Sequence, residues 1–219
     1  MIYTIKMQKS GLAKLFQLCK SLANDKALLL ELIGEVEGEI KDNALKSILE
    51  TYIKKINPED LGVGEEITLE DGTVGESSIY DSPELGLKLF FLGKGGAFPL
   101  HDHPKMLVIT CVIVGRVDYR CFDATQNPEI AVLAKKGSGK KGCCLYCTPR
   151  HMNLHSIVAS QTSVILDIFL PNYIEEQHCR FYEIEKHKGK MHRIKETKKC
   201  FDVAQFPYLG LPLESLALI

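Results

Sequence analysis

The chain has 219 residues, with 27 Lys+Arg against 28 Asp+Glu and a formal charge of −1. At roughly 150 residues per domain, this length fits one domain with an extension and is enough to bury a real core. A content of 45% hydrophobic and 25% charged residues is ordinary for a globular protein and disfavours disordered, collagen-like and rod-like classes. The near-zero charge argues against a nucleic-acid partner, because proteins that track phosphates carry a basic excess.

No apolar stretch approaches the ~18 residues that a bilayer-spanning helix needs, so no membrane partner is expected. The longest apolar runs, 106–114 and 164–170, are of strand length. Eight cysteines, at 19, 111, 121, 143, 144, 147, 179 and 200, are scattered through a chain large enough not to need staples. They read as reduced thiols of a cytoplasmic protein, with the nucleus left open. Residues 1–24 contain no acid and carry Lys6, Lys9, Lys14 and Lys20; a transit peptide is one alternative, but the lack of Arg favours a folded helix. A monomer is expected.

In chain order, the first regime is helical. Leu12, Leu15, Phe16, Cys19 and Leu22 follow a Ser10 cap, and Leu29, Leu32, Ile33 and Val36 make a second stripe. Leu45, Ile48, Leu49, Tyr52, Ile53 and Ile56 follow Asn43 at i, i+3, i+4, i+7, i+8 and i+11, the period of an amphipathic helix. Residues 1–57 are therefore predicted to be a helical segment packed on the remainder. After Pro58 the pattern changes to short apolar runs between Gly, Pro, Asn and Asp, predicting strands at 87–92, 106–114, 117–122, 130–133, 144–147, 154–158, 164–169 and 180–184. Many short strands without intervening helices predict a mainly β second unit, 58–219, built as an antiparallel sandwich or small barrel. The segment 186–199 carries seven Lys/Arg and reads as a solvated hairpin.

The most informative stretch is Gly95-Gly-Ala-Phe-Pro-Leu-His101-Asp-His103-Pro. Side chains alternate faces along a strand, so His101 and His103 would point one way and Asp102 the other. Two imidazoles would then converge on one point. On spacing alone, two surface histidines beside a turn at Pro104 fit as well.

The surrounding pattern bears on that choice. Gly95, His101, His103, Val108 and Gly115 resemble the first cupin motif, with Val108 where that motif commonly has Glu, and Pro149-Arg-His-Met-Asn153-Leu-His155 resembles a degenerate second motif. Leu100-His-Asp-His-Pro with Met106, Thr148-Pro with Asn153-Leu-His155, Leu166-Asp167-Ile-Phe-Leu-Pro171-Asn-Tyr173 and Cys179-Arg-Phe-Tyr182 are together similar to the cysteamine dioxygenase and plant cysteine oxidase family of thiol dioxygenases. The resemblance covers residues 60–184. It implies a cupin barrel and one Fe(II) held by His101, His103 and His155, with O2 as co-substrate. Three imidazoles suit Fe(II) and leave open positions. Without an acidic ligand the ion keeps its full charge, which favours an anionic thiolate. The implied product is a sulfinic acid.

Asp167 stands within an otherwise apolar run, and a lone buried carboxylate costs several kcal/mol by order of magnitude unless it is paired. It reads either as a structural acceptor or, as the resemblance implies, as a pocket acid that orients the substrate ammonium or a water. Tyr173 matches a family tyrosine facing the active site; an isolated Tyr there would otherwise be a rim aromatic. In animal relatives the residue two after Cys179 is a Tyr that crosslinks to the cysteine. Here it is Phe181, and Tyr182 lies on the other face, so no crosslink is expected. Cys143, Cys144 and Cys147 lack a fourth ligand at finger-like spacing and read as structural thiols. His151, four residues before His155, stays outside the ligand set.

The resulting expectation is a non-haem Fe(II) thiol dioxygenase. Its substrate would be cysteamine or an N-terminal cysteine of a peptide, the latter linked to oxygen sensing through N-degron degradation. The alternatives are a non-catalytic cupin scaffold and another cupin metalloenzyme, which would ordinarily keep the carboxylate that Val108 replaces.

Overall fold

The computed structural model describes residues 10–30, 43–64, 67–173, 178–198 and 202–212. Helix α1 (Gly11–Asn24) begins where Ser10 caps it, the hydroxyl accepting from the Ala13 N–H at 3.2 Å. Its stripe of Leu12, Leu15, Phe16, Cys19 and Leu22 is buried as the periodicity requires. Helix α2 (Lys26–Leu30) holds Leu29; Leu32, Ile33 and Val36 of the second expected stripe lie outside the described residues. Helix α3 spans Asn43–Lys54, so Asn43, expected as its cap, is instead its first residue. Leu49, Ile53 and Ile56 are buried, whereas Ile48, at the margin of that stripe, is 44% exposed.

Among the described residues twelve strands follow: β1 (Val74–Ser82), β2 (Leu85–Leu92), β3 (Ala97–His101), β4 (Leu107–Val114), β5 (Arg116–Ala124), β6 (Ile130–Lys140), β7 (Cys144–Cys147), β8 (Leu154–Ala159), β9 (Ser163–Leu170), β10 (Phe181–Lys188), β11 (Met191–Thr197) and β12 (Ala204–Gln205). One sheet runs β12-β1-β2-β9-β4-β7, and the other, β10-β11-β6-β5-β8-β3, closes on itself. This is the mainly β barrel that the strand pattern predicts, with a helical N-terminal segment.

Four of these strands lie outside the predicted set. β1 is rich in Gly and Ser, β3 contains Pro99, β11 is an arm of the basic hairpin, and β12 has two residues; none shows an apolar run. β6 extends seven residues past Leu133 with mostly exposed side chains, because β11 pairs only with its start, Ile130 to Val132. The sheets are also not wholly antiparallel, since β12 lies parallel to β1.

The pleat of β9 organises the core. It is buried at every position because β2 and β4 flank it. Val164, Leu166, Ile168 and Leu170 face outward into one cluster with Leu12, Leu15, Phe16, Leu49 and Ile53 of the helices. Ile165 and Phe169 face inward with Phe90, Phe98, Met106 and Val108. The helices thus cover the outer face of the first sheet, each fully buried Leu contributing roughly 1.5–3 kcal/mol.

Close approach of the helices depends on Gly11. A Cβ there would stand 2.6 Å from the Lys55 carbonyl carbon and 2.7 Å from its oxygen, and neither backbone atom can yield. Gly11→Ala is expected to push α1 off α3 and destabilise the fold by about 1–3 kcal/mol in urea unfolding. The unfolding slope m should be unchanged.

Candidate metal centre

His101 ends β3 and is directly opposed to His155 on β8, so the two side chains share a face of the barrel interior. His103 lies two residues beyond the end of β3, just before the turn at Pro104 and Lys105. The Asp102 N–H still donates to the Arg180 carbonyl, so the alternation carries past the strand end and brings His103 to the side of His101, as the spacing predicts. Ring centroids are 4.4 Å apart for His101 and His155, 4.8 Å for His101 and His103, and 4.9 Å for His103 and His155. One ligand atom from each lies within 4.8 Å of the others, and all three side chains are buried. Among the described residues this is the group of His, Cys, Asp and Glu able to hold a metal, and it contains no carboxylate. Val108, at the position where the cupin motif has Glu, is fully buried.

The outer ring nitrogens are engaged. His101 Nδ1 lies 2.8 Å from the Pro99 carbonyl oxygen, His103 Nδ1 2.6 Å from the Tyr173 hydroxyl, and His155 Nδ1 3.3 Å from the Cys147 sulfur. A carbonyl oxygen can only accept, so His101 donates from Nδ1 and presents a lone pair at Nε2; the same tautomer suits the other two rings. His101 Nε2 and His103 Nε2 stand 3.1 Å apart. With a lone pair on each the two rings repel unless a cation lies between them, whereas a Tyr173 hydroxyl that donates to His103 Nδ1 leaves His103 Nε2–H to donate to His101 Nε2. Burial pushes all three imidazoles below their usual pKa, and the neighbouring rings lower His103 and His155 further. The set is therefore neutral, nitrogen-donating and fixed by outer partners, which fits a first-row divalent metal.

Asp102 points away from the rings, as alternation predicts. It is 2% exposed and accepts from the Arg180 backbone N–H at 2.9 Å, from Arg180 Nε at 2.8 Å and from the Tyr182 hydroxyl at 3.1 Å. Asn153 Oδ1 accepts from the His103 N–H at 2.9 Å, tying the two ligand-bearing segments together. Next to these turns Lys105 and Met152 adopt positive φ, 58° and 53°, a conformation uncommon for side chains of this size. His151 is turned onto Asp123, Nδ1 to Oδ1 3.2 Å.

A cavity of about 170 Å³ opens beside the histidines, lined by Phe90, Phe98, Phe169, Phe181, Asp167 and Tyr173 among others. Asp167, 6% exposed, is the acid within it. Thr110 opposes it on β4, yet neither the Thr110 hydroxyl nor Asp167 Oδ1 completes a hydrogen bond. Burial raises the Asp167 carboxyl to about 7, slightly offset by Thr110. Burial likewise keeps the Tyr173 phenol protonated and pushes the adjacent Cys179 thiol up to about 12. The structure thus brings His101, His103, Asp167 and Tyr173 around one pocket, and His155 joins the first two in the histidine cluster. Phe181 lines it with Cys179, while Tyr182 lies on the Asp102 side. Sequence reasoning missed the Cys147 contact to His155, which alternation could not reveal because it joins different strands. It also missed the rim residues Glu76 and Lys88, which carry no motif.

A barrel of this topology has the cupin fold, here with three buried histidines able to hold a metal in its interior. A model of the family described as PCO_ADO matches residues 52–209, and the chain belongs to that family. It is 25% identical over 188 residues to plant cysteine oxidase 2 of Arabidopsis thaliana, covering 77% of this chain and 64% of that protein. It is also 25% identical over 173 residues to the 2-aminoethanethiol dioxygenase of Mus musculus, covering 63% of this chain and 67% of that one. The match thus spans somewhat under two thirds of the plant relative's length. Among solved structures, a protein with a double-stranded β-helix domain from Klebsiella pneumoniae is 14% identical with a TM-score of 0.40, covering 53% of this chain and 85% of that one.

Removal of one ligand should discriminate the centre from its neighbour. His155→Ala is expected to weaken metal binding at least ~100-fold, within the range that loss of ligand support produces, whereas His151→Ala retains it. Metal content after anaerobic loading and dialysis measures both.

Proposed function

We propose that the protein is a non-haem Fe(II) thiol dioxygenase that converts a free aminothiol to its sulfinic acid. The observation that carries this reading is the buried three-histidine cluster, free of acidic ligands, opening on an apolar pocket that holds one carboxylate oxygen without a partner. Family membership and the names of the relatives support it. The balance is RSH + O2 → RSO2H, with the thiol sulfur oxidised and both oxygen atoms retained. Fe(II), held by His101, His103 and His155, would supply the charge that favours a thiolate and the redox partner for O2.

The protein's own side chains account for selectivity. Asp167 accepts the substrate ammonium through its free oxygen, setting the thiol end toward the histidines. Phe90, Phe98, Phe169 and Phe181 exclude water and strengthen that ion pair in a low dielectric. Tyr173 holds His103 through Nδ1, so its role is to keep the ring aimed. Thiol and amine two carbons apart are shared by cysteamine and by a peptide that begins with cysteine, and we infer that one of these is the substrate. Residues 58–219 would form the catalytic unit, with the helical segment 1–57 as its cover.

Anaerobic loading with Fe(II), then exposure to air with cysteamine, free cysteine or a Cys-initiated peptide, tests the proposal by mass spectrometry. A gain of two oxygens on an aminothiol is expected; no gain on any of them overturns it. The pH dependence gives a second test. Ammonium binding needs Asp167 ionised, and its pKa is raised to about 7, so KM is expected to fall as pH rises through 7. Asp167→Asn should raise KM at pH 8 by ~10-fold or more, the loss of a charge-assisted bond worth roughly 1.5–3 kcal/mol, and should flatten that dependence.

A further inference from the structure

Two charged side chains at the pocket rim have no part in the chemistry above. Lys88 on β2 and Asp167 on β9 are directly opposed in register, and both line the same cavity. At such positions Cβ atoms stand about 5 Å apart on one face of the sheet. A lysine there can reach the carboxylate, and pairing would relieve the cost of a lone buried acid, several kcal/mol by order of magnitude.

That pair is not made. The Lys88 ammonium turns toward β1, 3.4 and 3.5 Å from the two carboxylate oxygens of Glu76. Glu76 is held in turn by Gln205 of β12, whose Nε2 donates to Oε1 at 2.9 Å. The Lys88 and Glu76 side chains are 27% and 21% exposed, so their pair stays partly solvated while Asp167 Oδ1 is buried and unpartnered. The cation nearest in register to the buried acid is thus diverted to a more exposed one.

We propose that Glu76 is a positioning residue that draws Lys88 away from Asp167, keeping the buried carboxylate free for the ammonium of the substrate. The inference rests on the aminothiol reading of the pocket. Lys88 carries the group that the substrate would present, a primary ammonium on an alkyl chain, and does so intramolecularly. An attached competitor acts at an effective concentration of order millimolar, so a released Lys88 would occupy Asp167 at ordinary substrate levels. The interference is competitive and is overcome by excess substrate.

The test measures Kd of cysteamine for the anaerobic Fe(II)-loaded protein by calorimetry, and KM and kcat in air, for wild type, Glu76→Gln, Lys88→Met and the double variant. Glu76→Gln is expected to raise Kd and KM by ~10-fold or more with kcat within about twofold, the competition expected of a tethered ammonium. The double variant should return both constants to near the wild-type values, and Lys88→Met alone should bind no worse than wild type. No rise in Glu76→Gln, a double variant as weak as Glu76→Gln, or weakened binding in Lys88→Met each overturns the inference. A wild type that binds cysteamine or a Cys-initiated peptide without forming sulfinate on either overturns only the dioxygenase reading, and one that binds neither overturns both.

Discussion

The structure depends on one electrostatic constraint: imidazole lone pairs brought together where water cannot separate them. His101 Nε2 and His103 Nε2 face each other at 3.1 Å, with His155 close by and every outer ring nitrogen engaged. Desolvation discourages protonation as the remedy. A shared metal cation would satisfy all three rings at once, whereas the other neutral tautomer of His103 would serve only the His101–His103 pair. The outer partners are a backbone carbonyl, a phenol and a thiol, all neutral. No negative charge is passed to the centre through its ligands.

The sheet supplies the second half of the design by sorting side chains onto two faces. Along β9, alternate residues join the helix-covered core, while Ile165, Asp167 and Phe169 turn into the barrel. The helical cover allows β9 to be wholly apolar on its outer face, and a strand buried on both faces can present a carboxylate to the pocket beside the histidines. Opposite the pocket, Asp102 engages Arg180 and Tyr182. These contacts join the histidine turn to the segment carrying Cys179 and Phe181, so ligands and pocket wall form one unit. Two carboxylates only a few strands apart are thereby separated in role: Asp102 is saturated with donors and Asp167 has an empty acceptor.

Much of this was legible in the residue order. The helical stripes were readable because burial of one helix face imposes the 3.6-residue period. All eight predicted strands fall within or nearly coincide with observed ones, because burial selects short apolar runs. β1, β3 and β11 were not readable. β1 carries Gly75 and three serines, β3 is five residues long with Pro99 at its centre, and β11 is mostly polar, so they are strands because neighbouring strands take up their backbone hydrogen bonds. His103 shows how far parity reaches within the site, since the alternation continues two residues past β3 and gives the convergence that the spacing predicts.

What the sequence by itself determined is the inventory: a mainly β barrel with a helical preface, a His-x-His pair, a third histidine far along the chain, and one acid in an apolar strand. Periodicity and composition reach that far because they reflect interactions local to a helix or strand. Only the tertiary structure decided that Cys147 would face His155, that Asp102 would be consumed by Arg180, and that Lys88 would turn to Glu76 and not to Asp167. Each choice is a competition between partners on different strands, settled by the register that places them side by side.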